Sequence, residues 1–127
     1  MNENNEVNEW VRRADMDLAT AFHMNDTFAP KPLEIICYHS QQAAEKIIKC
    51  YLVFHGIEPP KTHDIQLLLE KCLEINLDFD DIYNDATTLT NYAVRIRYPF
   101  ELELTEQDAE RALQIAKKVM DFVKSQL

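Results

Sequence analysis

The segment Cys37-Tyr38-His39-Ser40-Gln41-Gln42-Ala43-Ala44-Glu45-Lys46 sets an imidazole, an ammonium and two side-chain amides on or beside a strongly apolar stretch. Polar groups that become buried each need a hydrogen-bond partner, so a stretch that carries several answers to something besides packing. His39, Gln42 and Lys46 fall at i, i+3 and i+7 and therefore line one edge of a helix. An imidazole and an ammonium on such an edge can contact phosphate. The amides of Gln41 and Gln42 can read a nucleobase edge, or can satisfy backbone ends and bridge helices. For Lys46 the competing reading is a surface ion pair with Glu45, of little energetic weight. Arg97 stands just before Tyr98-Pro99, at a helix end where the dipole favours a cation with or without a ligand. Its guanidinium can take phosphate bidentately, pair with an acid of a second chain, or close a local ion pair. Tyr98 can stack on a base or pack on the protein. His63 lies in a helix cap, where a local or inter-helix hydrogen bond competes with ligand contact.

Helices must position these groups. The chain of 127 residues is long enough for one domain, 46% of it is hydrophobic, and it holds a single glycine, Gly56. Sheet-rich small domains need many glycine-dependent turns, so the composition predicts long helices with few connections. A first helix is expected over 6–25, with Val7, Trp10, Val11, Ala14, Leu18, Ala21 and Phe22 as its apolar stripe. A second over 32–54 is apolar around more than half its circumference and should be central. Gly56 and Pro59-Pro60 end it. Thr62 is expected to cap a third helix carrying Ile65, Leu68, Leu69, Cys72 and Leu73, with Asp64 near its positive end. A fourth spans 79–96 and stops before Pro99. The fifth opens on Thr105-Glu106-Gln107-Asp108, which resembles a capping box. Short links between amphipathic helices favour an up-and-down, antiparallel all-α bundle of about five helices in one domain.

Composition excludes several functions. One glycine leaves no room for a G-x-G-x-x-G or Walker-type loop. A net charge of −9 opposes sequence-independent binding to long nucleic acid, although Lys46, Lys49, Lys61, Arg95 and Arg97 leave room for a local basic pocket. Cys37 and Cys50 would lie roughly 20 Å apart along one helix and cannot pair. An odd cysteine count with no disulfide framework fits a reducing, cytoplasmic setting. The polar, acidic start does not resemble a signal peptide, and no apolar run is long enough to span a membrane. No H-E-x-x-H or C-x-x-C occurs, so neither a metal nor another cofactor is expected. Asp80-Asp81 with Asp85 is expected to be a solvated face.

The pattern Cys37-Tyr38-His39-x-Gln41-Gln42-Ala43-x-Glu45-Lys46-x-x-Lys49 resembles the signature helix of the HEPN (higher eukaryotes and prokaryotes nucleotide-binding) domain. Two further pieces match in order: Lys61-Thr62-His63-Asp64-Ile65 with Leu68, and Leu89-Thr90-x-Tyr92 leading to Arg97-Tyr98-Pro99. Trp10, Ala14, Asp17 and Leu18 fit as well, and the likeness spans about 5–125. The resemblance implies an all-α homodimer, often the substrate- or nucleotide-binding partner of a minimal nucleotidyltransferase, in some cases as a toxin–antitoxin pair. Another branch are metal-independent ribonucleases, which carry Arg followed four to six residues later by His. Here His23, His39, His55 and His63 all precede Arg95 and Arg97. Arg12 and Arg13 have His23 too far downstream to supply the pair. Such cleavage needs a general base or acid tuned near neutral pH, for which His is the usual side chain. The sequence therefore favours a non-catalytic, dimeric binding subunit. Its expected ligand contacts are His39, Gln42, Lys46, His63, Arg97 and Tyr98. The alternatives are a ribonuclease with an atypical site and a helical interaction protein without a small ligand.

Overall fold

The computed structural model describes residues 3–97 and 103–127. The order is α1 (Glu3–Thr27), α2 (Leu33–Phe54), α3 (Ile65–Leu73), a 3-10 turn (Leu77–Phe79), α4 (Asp80–Arg97) and α5 (Glu106–Ser125), with no strand among the described residues. The five-helix, all-α expectation holds.

The apolar breadth of α2 determines its place. It packs against α1, α3, α4 and α5. Ile36, Ala43, Ala44, Ile47, Ile48 and Leu52 are wholly buried there, and burying each large aliphatic side chain contributes roughly 1.5–3 kcal/mol. The stripes of the neighbours close over it. Ala14 and Ala21 come from α1, Leu68 and Leu69 from α3, Ile82 and Leu89 from α4, and Leu113, Val119 and Val123 from α5. The Phe79 ring lies 4.5 Å from that of Tyr51 and meets Phe122 edge-on at 5.0 Å.

Side-chain bonds fix the directions. The Cys50 thiol of α2 donates to the Val7 carbonyl of α1, while Asp17 reaches His39 and Lys46. Ascending α1 therefore meets descending α2, so the two are antiparallel. Asn76 pairs with Gln126 and Lys118 with Asp85, which makes α4 and α5 antiparallel in the same way.

The helix ends follow local chemistry, with one correction. Gly56 takes φ 74° after α2, a region that glycine enters without the Cβ clash. The Ile57 N–H then donates back to the Leu52 carbonyl at 2.9 Å. The cap of α3 is Asp64, not Thr62. The Asp64 carboxylate accepts from the N–H groups of Gln66 and Leu67, and the Thr62 hydroxyl accepts from the Asp64 N–H instead. The first helical residue is Ile65, so only Asp64 occupies the half-in position from which a side chain reaches the orphan donors. Thr105 and Asp108 form the reciprocal capping box expected at α5. No helix of the described residues is long and apolar enough to cross a membrane.

Candidate functional site

Asp17 is an acid set into the apolar stripe of α1, between Ala14 and Ala21, both wholly buried against the core. Small residues on either side let α1 approach α2 closely and bring the carboxylate onto it. His39 Nδ1 donates to Asp17 Oδ1 at 2.8 Å, and Lys46 Nζ donates to Oδ2 at 2.5 Å. An ionised carboxylate only accepts, so Nδ1 carries the proton and the ring is held in one tautomer. Nε2 has no hydrogen-bond partner among the described residues. The His39 and Lys46 side chains keep 27% and 26% of their surface exposed, so both remain reachable from solvent. Gln42 stands between them on α2 and is partly buried. Tyr38, half exposed, presents its ring edge-on to His39 at 5.2 Å.

A second set repeats the plan. Glu45 is 3% exposed, yet Oε1 accepts from His63 Nδ1 at 2.9 Å and Oε2 from Lys49 Nζ at 3.5 Å. His63 itself is 81% exposed. Each carboxylate thus lies between one imidazole and one ammonium. At 3.6 residues per turn, His39, Lys46, Gln42, Lys49 and Glu45 occupy an arc of about 120° on α2. This arrangement corrects the expected Glu45–Lys46 ion pair. Neighbours in sequence point about 100° apart on a helix, so Glu45 turns to Lys49 and His63 while Lys46 turns to Asp17.

The structure therefore joins His39 and Lys46 through Asp17, with Gln42 between them, and attaches His63 to the same helix through Glu45. Arg97 is the last residue of α4, but its side chain lies outside the described residues, as does Tyr98. Asp17 and Glu45 were named from the sequence, Asp17 within the resemblance and Glu45 as a partner for Lys46, but not as the acids that anchor His39 and His63. The signal for them was present: Asp17 interrupts a stripe of alanines and leucine, and Glu45 sits among Ala43, Ala44, Ile47 and Ile48.

Other polar groups are ordinary by comparison. Asp80 and Asp81 are exposed, as expected of a solvated face. Asp85 instead pairs with Lys118 at 2.6 Å and Arg111 at 3.9 Å, a half-exposed contact of small energetic weight. Cys37, Cys50 and Cys72 are buried, and none of them is joined in a disulfide. Burial pushes the Cys50 thiol up to about 11 and the Cys72 thiol up to about 12, so neither is a nucleophile at neutral pH. Among the described residues no cluster of three or more His, Cys, Asp or Glu could hold a metal ion.

Fold and site together define an antiparallel helical domain that carries its chemistry along one central helix. The family model for the HEPN domain matches residues 7–126. The crystal structure of an archaeal HEPN homologue is similar at a TM-score of 0.74 and 32% sequence identity, covering 94% of this chain and 96% of that one. No curated protein matches the chain in sequence. The chain belongs to the HEPN family.

Proposed function

We propose that this HEPN protein is a non-catalytic binding subunit. It acts as a cytoplasmic homodimer that offers the His39–Gln42–Lys46 face of α2 to a nucleotide. Its partner is a minimal nucleotidyltransferase, and the two form a toxin–antitoxin pair. His63, Arg97 and Tyr98 are further contacts in this reading. The observation that carries it is the convergence of His39 and Lys46 on Asp17. Two groups suited to phosphate are held in place by a buried acid and still reach solvent. The absence of any histidine after Arg95 argues against the family's Arg–His cleavage chemistry.

Calorimetric titration with ATP, with and without the partner enzyme, tests the reading. Saturable binding that Lys46→Met weakens at least tenfold supports it. No binding below the millimolar range in either form removes it. Light scattering tests the dimer, and a strictly monomeric species at micromolar concentration contradicts that part.

One observation favours a second reading, a ribonuclease with an atypical site. Both His39 and His63 have Nδ1 on a carboxylate, the arrangement that orients an imidazole as a general base. Incubation with labelled RNA in the presence of a chelator separates the two. Cleavage abolished by His63→Ala or His39→Ala replaces the binding-subunit reading.

A further inference from the structure

Resting on the nucleotide-binding reading above, we propose that binding at the Asp17–His39–Lys46 cluster is coupled to uptake of a proton by His39. The coupling selects a compact dianion, the terminal phosphate of a mononucleotide, over the singly charged phosphodiesters of a nucleic-acid chain.

The charges at the cluster set up this coupling. Lys46 Nζ sits on Asp17 Oδ2 at 2.5 Å, so the ammonium and the carboxylate cancel to a large degree. Lys46 alone is therefore a weak lure for an anion. The groups facing the His39 ring are Asp17 from α1, and Lys46 and Tyr38 from its own helix. Of these, the ring is the group whose type changes charge near neutral pH.

With a neutral ring the cluster carries no net charge, and Nε2 offers a lone pair that repels a phosphate oxygen. With a proton on Nε2 the cluster becomes singly positive and gains an outward N–H donor. Asp17 stays on Nδ1 in both states, so the proton enters at the edge a ligand would meet. A phosphate oxygen at that edge accepts the Nε2–H while Lys46 supplies a second donor from its remaining hydrogens. The ligand most strongly drawn is the one with two charges at one phosphorus. A long polyanion gains less at this single point and is opposed by the −9 of the whole chain.

The sign of the pH dependence follows. On the alkaline side of neutrality an imidazole is ordinarily neutral and a phosphate monoester dianionic. Each ligand bound then takes one proton from solvent, and affinity falls roughly tenfold per pH unit.

The test is calorimetric titration of the full chain with adenosine monophosphate near pH 7.5, in two buffers of different ionisation enthalpy. The experiment is repeated one unit higher, and with the dinucleoside monophosphate of adenosine as the diester. The expected results are close to one proton taken up per monophosphate bound, roughly tenfold weaker binding per unit rise in pH, and at least tenfold preference for the monoester. His39→Gln, whose amide can still donate to Asp17 but cannot be protonated, is expected to bind with no proton uptake and a flat pH profile. Monophosphate binding by the wild-type chain without proton uptake, or equal affinity for the diester, overturns the proposal and leaves the nucleotide-binding reading standing. No binding of the monophosphate at all overturns the proposal, and the nucleotide-binding reading falls with it only if ATP also fails to bind with and without the partner enzyme.

Discussion

Glu45 and His63 share one hydrogen bond, but their removal should have very different effects. The carboxylate is 3% exposed and the imidazole 81%. Taking away Glu45 strands Lys49, itself only 11% exposed, without its counter-charge. Glu45→Ala should therefore destabilise the fold by about 3 kcal/mol or more, and His63→Ala by less than about 1 kcal/mol. Urea denaturation of the two variants checks this contrast; equal losses would mean that the Glu45 bonds are not what holds that part of α2. The cysteines give a second residue-scale prediction. Burial raises the Cys50 and Cys72 thiols above their ordinary 9.0, to about 11 and 12. A raised thiol stabilises the fold fully below pH 9, and that contribution is lost as pH rises through those values. Thiol reagent at mildly alkaline pH should label neither in the folded protein and both after denaturation. Glu9 behaves oppositely. Hydrogen bonds from Arg12 and Arg13 lower it from 4.5 to about 2, so its favourable contribution is present above 4.5 and disappears as pH falls toward 2. A carboxyl NMR titration should find its midpoint well below 4.5.

At the scale of the element, caps and registers decide what sequence can reveal. The capping box of α5 and the glycine stop of α2 were legible because both are local chemistry within a few residues. The α3 cap was displaced by two positions, since Thr62 and Asp64 are both good capping types and only the first helical residue distinguishes them. Asp64→Ala should destabilise the protein by about 1 kcal/mol, more than Thr62→Ala, in thermal or urea unfolding. A larger loss for Thr62→Ala would return the cap to the position read from sequence. The polar edge of α2 was legible from spacing alone, but the partners of that edge were not. Asp17 and His39 are 22 positions apart, and Asp17 and Lys46 are 29 apart. Their meeting depends on the antiparallel register of α1 against α2, which no helical periodicity encodes. The same holds for Glu45. On a helix, a charged neighbour in sequence is a poor guide to a partner in space, and here the bonds skip to residues 49 and 63.

At the scale of the molecule, the family membership, the all-α bundle and the acidic charge describe a domain whose proposed function lies in one local face. The whole chain carries −9 and should not bind long RNA measurably at physiological salt; a gel-shift or anisotropy titration with an unstructured RNA checks this, and micromolar binding would contradict it. What the bundle supplies is position. It sets α1 close enough to α2 for one acid to hold an imidazole and an ammonium at a solvent-reachable edge. The most direct test of that account is a backbone and imidazole NMR titration of the full chain with adenosine monophosphate. Shifts centred on α2 from His39 to Lys46 and on α1 around Asp17, with His39 Nε2 moving most among the histidine nitrogens, are the predicted result. Shifts centred instead on α5 around Arg111 and Lys118, or none at millimolar ligand, would contradict it.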